Sequence, residues 1–194
     1  MFTWFIHHPQ ISMFLVVANF LALAGCQHNM IDQDGAKPSR GTTLLIPEKI
    51  PFAAEIKVPD SVRMECNIEL KLSEYVKKQA ASVYPQVKTA ASVSTGMPGS
   101  VMTMQITSAP GWETSGYSRG TAGKREMTVR GVLYENGKER GNFLVNRHTA
   151  RKKGFVPYRG TCSMLDNIAR KMAEDIAGWL ESPTMGARLG DAKN

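Results

Sequence analysis

The sequence predicts a small α+β domain in which two helices pack on one face of a mainly antiparallel sheet, in the order β-α-β-β-β-α. Two segments, beginning near Asn67 and Cys162, repeat apolar residues at three- and four-residue steps, which is the period of a helix. Between them, Asn136-Gly137 separates two strand-like segments and is a strong signal for a two-residue hairpin turn. Strands and helices mixed in one chain of this length are typical of a single layered domain.

The first half of the domain is expected to contain one strand and one helix. A short alternating segment predicts a strand over Ala54–Val58, closed by Pro59-Asp60. The helix is expected from Asn67 to about Ser82, with Asn67 as the N-cap. Its predicted apolar stripe consists of Ile68, Leu72, Tyr75, Val76 and Ala80.

The second half is expected to contain three strands, over Val101–Ala109, Glu126–Glu135 and Glu139–Thr149. The last two form the hairpin around Asn136-Gly137. In a two-residue turn, facing pairs include Glu135 with Lys138 and Val129 with Leu144.

The last helix is predicted over Cys162–Glu181, where Ser182-Pro183 ends it. Asp166 and Arg170 are spaced for an ion pair along the helix. The apolar stripe of this helix consists of Leu165, Ile168, Ala169, Met172, Ile176, Trp179 and Leu180.

The N-terminus resembles the signal and lipobox of bacterial lipoproteins. Met13–Gly25 is an uncharged apolar run, shorter than the ~20 residues that cross a bilayer, and it leads into Leu23-Ala24-Gly25-Cys26. In that family the cysteine is acylated and the chain is cut before it, so the resemblance implies that Cys26 is the lipidated first residue. In enterobacterial members an Asp after the cysteine retains the protein in the inner membrane, so Gln27 implies the outer membrane. An ordinary secretory signal and a buried apolar segment are the alternatives.

This resemblance and the composition divide the chain into four parts. Residues 1–25 are expected to be the signal peptide, 26–49 a lipidated tether, 50–182 the periplasmic domain and 183–194 a disordered tail. The 24 Lys and Arg exceed the 17 Asp and Glu, which leaves a net charge of +7. A basic protein in the periplasm meets anionic lipid headgroups, lipopolysaccharide phosphates and acidic wall polymers, whereas nucleic acid is not an expected partner there.

A longer segment, RGTCSMLDNIARKMAEDIAGWL (Arg159–Leu180), resembles small periplasmic lipoproteins, many of unknown function. They include accessory lipoproteins of envelope transport and outer-membrane assembly. The resemblance assigns no activity to the chain. We expect a non-catalytic binding or assembly role in the envelope, with envelope proteins, anionic headgroups or the cell wall as partners. A serine hydrolase and a structural lipoprotein that links the membrane to the wall are the alternatives.

The hydrolase alternative rests on Gly116-Tyr117-Ser118-Arg119-Gly120, which fits the G-x-S-x-G pattern of a nucleophile elbow. An elbow requires a strand before the serine and a helix after it, but here glycines surround Ser118 and no apolar run flanks it. Only His148 follows as a candidate base, on a predicted hairpin strand. A loop that happens to contain a serine is the favoured interpretation.

The densest run of positive charge is Arg147–Lys153. Arg147, Arg151, Lys152 and Lys153 are therefore candidates for contact with an anionic partner, and each basic residue near an anionic membrane contributes ~1 kcal/mol. A solvated strand end is the simpler interpretation. No His, Cys or carboxylate spacing of a metal site occurs, and no metal or cofactor is expected.

The two cysteines other than Cys26 predict a disulfide between Cys66 and Cys162. An even number of thiols in an oxidising compartment favours a bridge. Each cysteine stands at the N-terminal edge of a predicted helix, and the two edges meet if the helices run side by side in the same direction. Two buried free thiols, or one reactive thiolate at a helix start, are the alternatives.

Overall fold

The computed structural model describes residues 41–58, 60–109, 125–149 and 161–193, without the side chains of residues 61, 62, 161 and 193. In this part of the chain the elements are β1 (Thr43–Pro47), α1 (Asp60–Cys66), α2 (Ile68–Ala80), β2 (Gln86–Ala90), β3 (Ser100–Ser108), β4 (Arg125–Glu135), β5 (Lys138–Thr149), α3 (Thr161–Glu181), β6 (Ala187–Gly190) and a short 3₁₀ helix, Asp191–Lys193.

The predicted α+β class is confirmed, and the described residues form a sheet of six strands in the order β2-β1-β3-β4-β5-β6. It is a mixed sheet. The two longest pairings, β3 with β4 and β4 with β5, are antiparallel, whereas β1 pairs in parallel with both β2 and β3, and β6 pairs in parallel with β5. The long antiparallel ladders therefore form the centre, and short parallel strands extend it toward both edges.

The core lies between one face of this sheet and the helices α2 and α3. The predicted stripe of α3 is confirmed, because all seven of its residues are buried. In the stripe of α2 only Tyr75 stays partly exposed. The sheet contributes alternate residues to the same core, which are Leu44, Ile46, Met102, Met104, Ile106, Met127, Val129, Leu133, Phe143 and Val145.

The hairpin is confirmed at its turn but not in its register. Asn136 and Gly137 both have positive φ, 50° and 79°, which is the conformation of a type I′ turn, and Glu135 faces Lys138. A bulge then shifts the register after Tyr134, so the predicted pair of Val129 with Leu144 is wrong and Val129 faces Val145.

The bulge has a physical reason, because a one-residue shift exchanges the two faces of a strand. In the observed register Phe143 and Val145 point into the core and Leu144 points out. Gly131 faces Phe143, and a side chain at that glycine would overlap the phenylalanine ring. The ring packs edge-on against Trp179 at a centroid distance of 4.8 Å.

The domain is longer at both ends than the sequence predicts. Thr43–Pro47, assigned above to the tether of residues 26–49, is the interior strand β1, and Leu44 and Ile46 are fully buried. Residues 183–194, assigned to a disordered tail, contain β6 and the 3₁₀ helix instead. Both strands are short and pair with distant segments, so a local pattern does not reveal them.

The predicted strand over Ala54–Val58 is also wrong. Ala54 and Glu55 form a turn and residues 56–58 have no regular structure, while Phe52, just before this segment, makes an isolated bridge to Ile106 of β3. Asn67 does not cap α2 through its side chain. It has a left-handed backbone, with φ 46° and ψ 42°, and joins α1 directly to α2.

The predicted ion pair of Asp166 with Arg170 is replaced by contacts between the helices. Asp166 accepts a hydrogen bond from the hydroxyl of Tyr75 at 2.8 Å and lies 3.4 Å from the ammonium group of Lys71. Arg170 instead donates to the side chain of Asn167. Among the described helices, none is both long enough and apolar enough to span a membrane.

Candidate functional site

The disulfide between Cys66 and Cys162 is present, with the Cα atoms 4.8 Å apart, as predicted. Cys66 is the last residue of α1, and only Asn67 separates it from α2, while Cys162 lies in the first turn of α3. The contacts of Lys71 and Tyr75 with Asp166 show that α2 and α3 run side by side in the same direction from this point. The bridge thus joins the starts of the two helices that cover the sheet.

Arg147 lies at the centre of an ion-pair network between β5, α3 and the C-terminal segment. Its guanidinium group donates two hydrogen bonds to Asp175, both of 2.7 Å, and a third to Asp191 at 3.1 Å. All three side chains are mostly buried, with exposed fractions of 27%, 18% and 27%. The hydrogen bond to Asp175 raises the pKa of Arg147 despite partial burial, so the arginine stays charged.

Asp191 also binds His148. One carboxylate oxygen accepts the backbone amide of His148 at 3.0 Å and lies 2.8 Å from its Nδ1. Burial alone would raise the pKa of Asp191, but the amide hydrogen bond of His148 and the charges of His148 and Arg147 together lower it. The carboxylate continues the hydrogen bonding of β6 along β5 and fastens the C-terminal segment.

The predicted anionic contact is therefore not formed by Arg147, because two internal carboxylates occupy its guanidinium group. The sequence shows a basic run but not the distant acids that neutralise its first member. Arg151, Lys152 and Lys153 lie outside the described residues, as do Ser118 and Cys26. Of the proposed hydrolase pair, only His148 can be placed.

The second face of the sheet carries no described helix. Its central residues are partly or fully exposed and mix polar with apolar side chains. In the middle of this face, Arg130 on β4 is directly opposite Leu144 on β5, which in turn is directly opposite Arg188 on β6. We call the three residues the Arg–Leu–Arg row.

A groove of about 440 Å³ runs along this row. Besides the row it is lined by Val132, Asn142, Phe143, Gly186 and Ala187. Arg130 is exposed and makes no ion pair or hydrogen bond with another described residue. Arg188 donates from Nε to the carbonyl of Ala192 at 2.7 Å, which positions its side chain without neutralising it.

The acidic side chains on and beside this face already have partners. Glu126 accepts from Asn146, Glu139 accepts from Asn142, and Glu135 pairs with Arg140. None of these carboxylates pairs with Arg130 or Arg188, so the groove keeps two positive charges beside apolar surface. The alternation of apolar and polar residues in the predicted strand indicates that Arg130 points outward. Arg188 lies in the segment that the sequence predicts to be disordered, so the sequence gives no signal for it.

The described residues hold no group of three or more His, Cys, Asp or Glu side chains that would bind a metal ion. The chain matches no protein-family model and no curated protein.

Proposed function

We propose that this chain is a lipid-anchored module on the periplasmic face of the outer membrane, where it binds a partner or assists assembly without catalysing a reaction. The proposal rests on how the chain uses its three cysteines. Cys26 ends the lipobox-like run, and Cys66 and Cys162 form a bridge. Disulfides persist in oxidising compartments such as the periplasm, so the bridge and the lipobox favour the same location.

A binding role is supported by the contrast between the charged residues around Arg147 and those on the exposed face of the sheet. Arg147 forms ion pairs with Asp175 and Asp191, and these contacts hold the C-terminal segment. The exposed face of the sheet instead offers a groove with two arginines and apolar floor residues. Concave surfaces that combine apolar area with a few polar groups are typical of binding sites.

The anchor is tested by substituting Cys26→Ser in the full chain and feeding cells a clickable fatty acid. We expect wild-type protein to carry the label and to fractionate with the outer membrane, and the variant to lose both. Gln27→Asp is the matched control, because it should keep the label while moving the protein to the inner membrane. Outer-membrane fractionation of an unlabelled wild-type chain would contradict the anchor.

The same cells separate binding from a structural link to the wall. Crosslinking followed by mass spectrometry should recover an envelope partner of the wild-type protein. Cosedimentation with purified cell wall in the absence of such a partner would favour the structural lipoprotein instead.

A serine hydrolase is the second candidate, and one observation favours it. His148 is oriented through Nδ1 by Asp191, as the base of a catalytic triad is oriented by its carboxylate. The same carboxylate also binds Arg147 and the backbone of His148, which gives the contact a structural role. We expect no reaction of the purified protein with a fluorophosphonate probe. Labelling that disappears in Ser118→Ala but persists in Ser163→Ala would establish the hydrolase.

A further inference from the structure

We propose that the Arg–Leu–Arg row binds the phosphate group of an anionic phospholipid, with Leu144 contacting the apolar part of that lipid. The inference deepens the proposed function, on which it rests for its membrane setting. It assigns a ligand class and a site to the exposed face of the sheet.

The geometry of the sheet brings the two arginines together. Arg130 and Arg188 are each directly opposite Leu144, on the strands at either side of β5. Neighbouring strands are about 4.8 Å apart, so the two arginine backbones are separated by roughly 10 Å. Both side chains stand on the same face as the leucine and are long enough to meet one ligand group above it.

The charges favour an anion at this place. Arg130 has no partner among the described residues, and Arg188 has only the neutral carbonyl of Ala192. Glu135 pairs with Arg140, whereas Glu126 and Glu139 accept hydrogen bonds from the neutral side chains of Asn146 and Asn142. Among the described residues, none of these carboxylates pairs with Arg130 or Arg188. Two unneutralised guanidinium groups at the same groove repel each other until an anion lies between them.

A phosphate suits two arginines better than a carboxylate does. The guanidinium group is a planar fork that donates two parallel hydrogen bonds. The two oxygens of a carboxylate lie in one plane with its carbon, whereas the two charged oxygens of a phosphodiester are bonded to a tetrahedral phosphorus, so that two forks can approach the group from different sides.

The apolar lining indicates an amphiphilic ligand rather than free phosphate. Val132, Leu144 and Ala187 line the same groove as the arginines and are only partly exposed. A ligand that joins an anionic group to hydrocarbon covers both kinds of surface at once. A phospholipid has this composition, and a protein anchored beside a bilayer meets it at high local concentration.

Native mass spectrometry of the full-length protein, purified in a non-ionic detergent, tests the site. The probes are phosphatidylglycerol, phosphatidylcholine with the same acyl chains, and glycerol 3-phosphate, each at equal concentration. We expect phosphatidylglycerol to give the most abundant bound species. Equal binding of phosphatidylcholine would overturn the anionic site, and equal binding of glycerol 3-phosphate would overturn the amphiphilic ligand.

Variants locate the site. Arg130→Gln with Arg188→Gln should weaken phosphatidylglycerol binding by at least about tenfold, because hydrogen bonds to charged groups are lost. Arg130→Lys should weaken it less, since the charge stays and the fork is lost. Lys88→Gln is the matched control, because it removes one exposed positive charge from the edge strand β2 of the same sheet.

Unchanged phosphatidylglycerol binding in the double arginine variant, or equal loss in Lys88→Gln, would overturn the assignment. The mass of the chain itself reports acylation at Cys26 in the same spectrum. A chain that is acylated but binds no lipid at the groove would contradict this inference alone, whereas an unmodified chain would contradict the proposed function.

Discussion

Arg147 and Arg130 lie on opposite faces of one hairpin and differ in whether carboxylates pair with them. Arg147 points toward the helices, where Asp175 and Asp191 take up its hydrogen bonds. Arg130 points away from them and has no described partner. A basic residue is thus available to a ligand only where no carboxylate of the folded chain already pairs with it. The density of charge along the sequence does not show which basic residues are paired.

The same contrast extends to the whole sheet. One face packs against α2 and α3, whose starts the disulfide joins, and together they enclose the described core. The other face mixes polar with apolar side chains at its centre, and most of them are only partly buried. Substitutions on the two faces should therefore differ in kind, with loss of stability on the first and loss of binding on the second.

The largest expected effect concerns the disulfide. The bridge closes a separation of 96 residues, and chain-entropy estimates for such a loop reach about 4–5 kcal/mol, with measured losses for native bridges of about 2–5 kcal/mol. Cys66→Ala with Cys162→Ala should lower the free energy of unfolding, measured in urea, by about 2–5 kcal/mol. A loss under about 1 kcal/mol would show that the helices do not depend on the bridge.

The neighbours Leu133 and Val132 compare the two faces directly. Leu133 is fully buried under the helices, so Leu133→Ala should cost about 2–5 kcal/mol through lost burial and a cavity. Val132 is half-buried on the other face, and Val132→Ala should cost less than about 1 kcal/mol. Thermal unfolding of both variants measures the difference, and similar losses would contradict the assignment of a single core.

Arg147→Gln and Arg130→Gln form the next pair. The first leaves two partly buried carboxylates without their cation and should lower the free energy of unfolding by about 1–3 kcal/mol. The second removes an exposed charge and should change it by less than about 0.5 kcal/mol. Chemical denaturation checks both, and a larger loss in Arg130→Gln would reverse the roles given to the two arginines.

The smallest effect is a pH dependence from Asp191. Its pKa is lowered in the folded protein, so its contribution to stability is present above the unfolded pKa, about 4, and is lost as the pH falls through the folded value. Urea denaturation at pH 6 and at pH 3 should show a smaller acid loss in Asp191→Asn than in wild type. Identical losses of stability in the two proteins would mean that Asp191 does not contribute to the pH dependence of folding.

The sequence predicted those parts of the fold that repeat a period or contain a turn signal. The long stripe of α3 and the Asn136-Gly137 turn are local patterns, and both are confirmed. The register beyond the turn depends on the bulge at Arg140, which serves to place Phe143 against Gly131, and that packing is not local. Strands β1 and β6 are four or five residues long and pair in parallel with distant segments, so the local sequence predicts a tether and a tail at these positions.

The candidate site was predicted less well for a related reason. The disulfide followed from counting cysteines and from the expected direction of two helices, and it is confirmed. The basic run beginning at Arg147 is evident from the local sequence. The acidic partners of Arg147 are not, because Asp175 and Asp191 are 28 and 44 residues away. The Arg–Leu–Arg row depends on β6, and it is visible only when that strand is placed beside β5.

The most direct test of the proposed function is the intact mass of the full chain, expressed in a bacterium with an outer membrane and purified without reductant. We predict one species that begins at Cys26, carries the mass of the lipid anchor, and resists alkylation at Cys66 and Cys162 until it is reduced and unfolded. A chain that keeps residues 1–25, or a Cys26 thiol that reacts with the alkylating agent, would contradict the lipid-anchored periplasmic module.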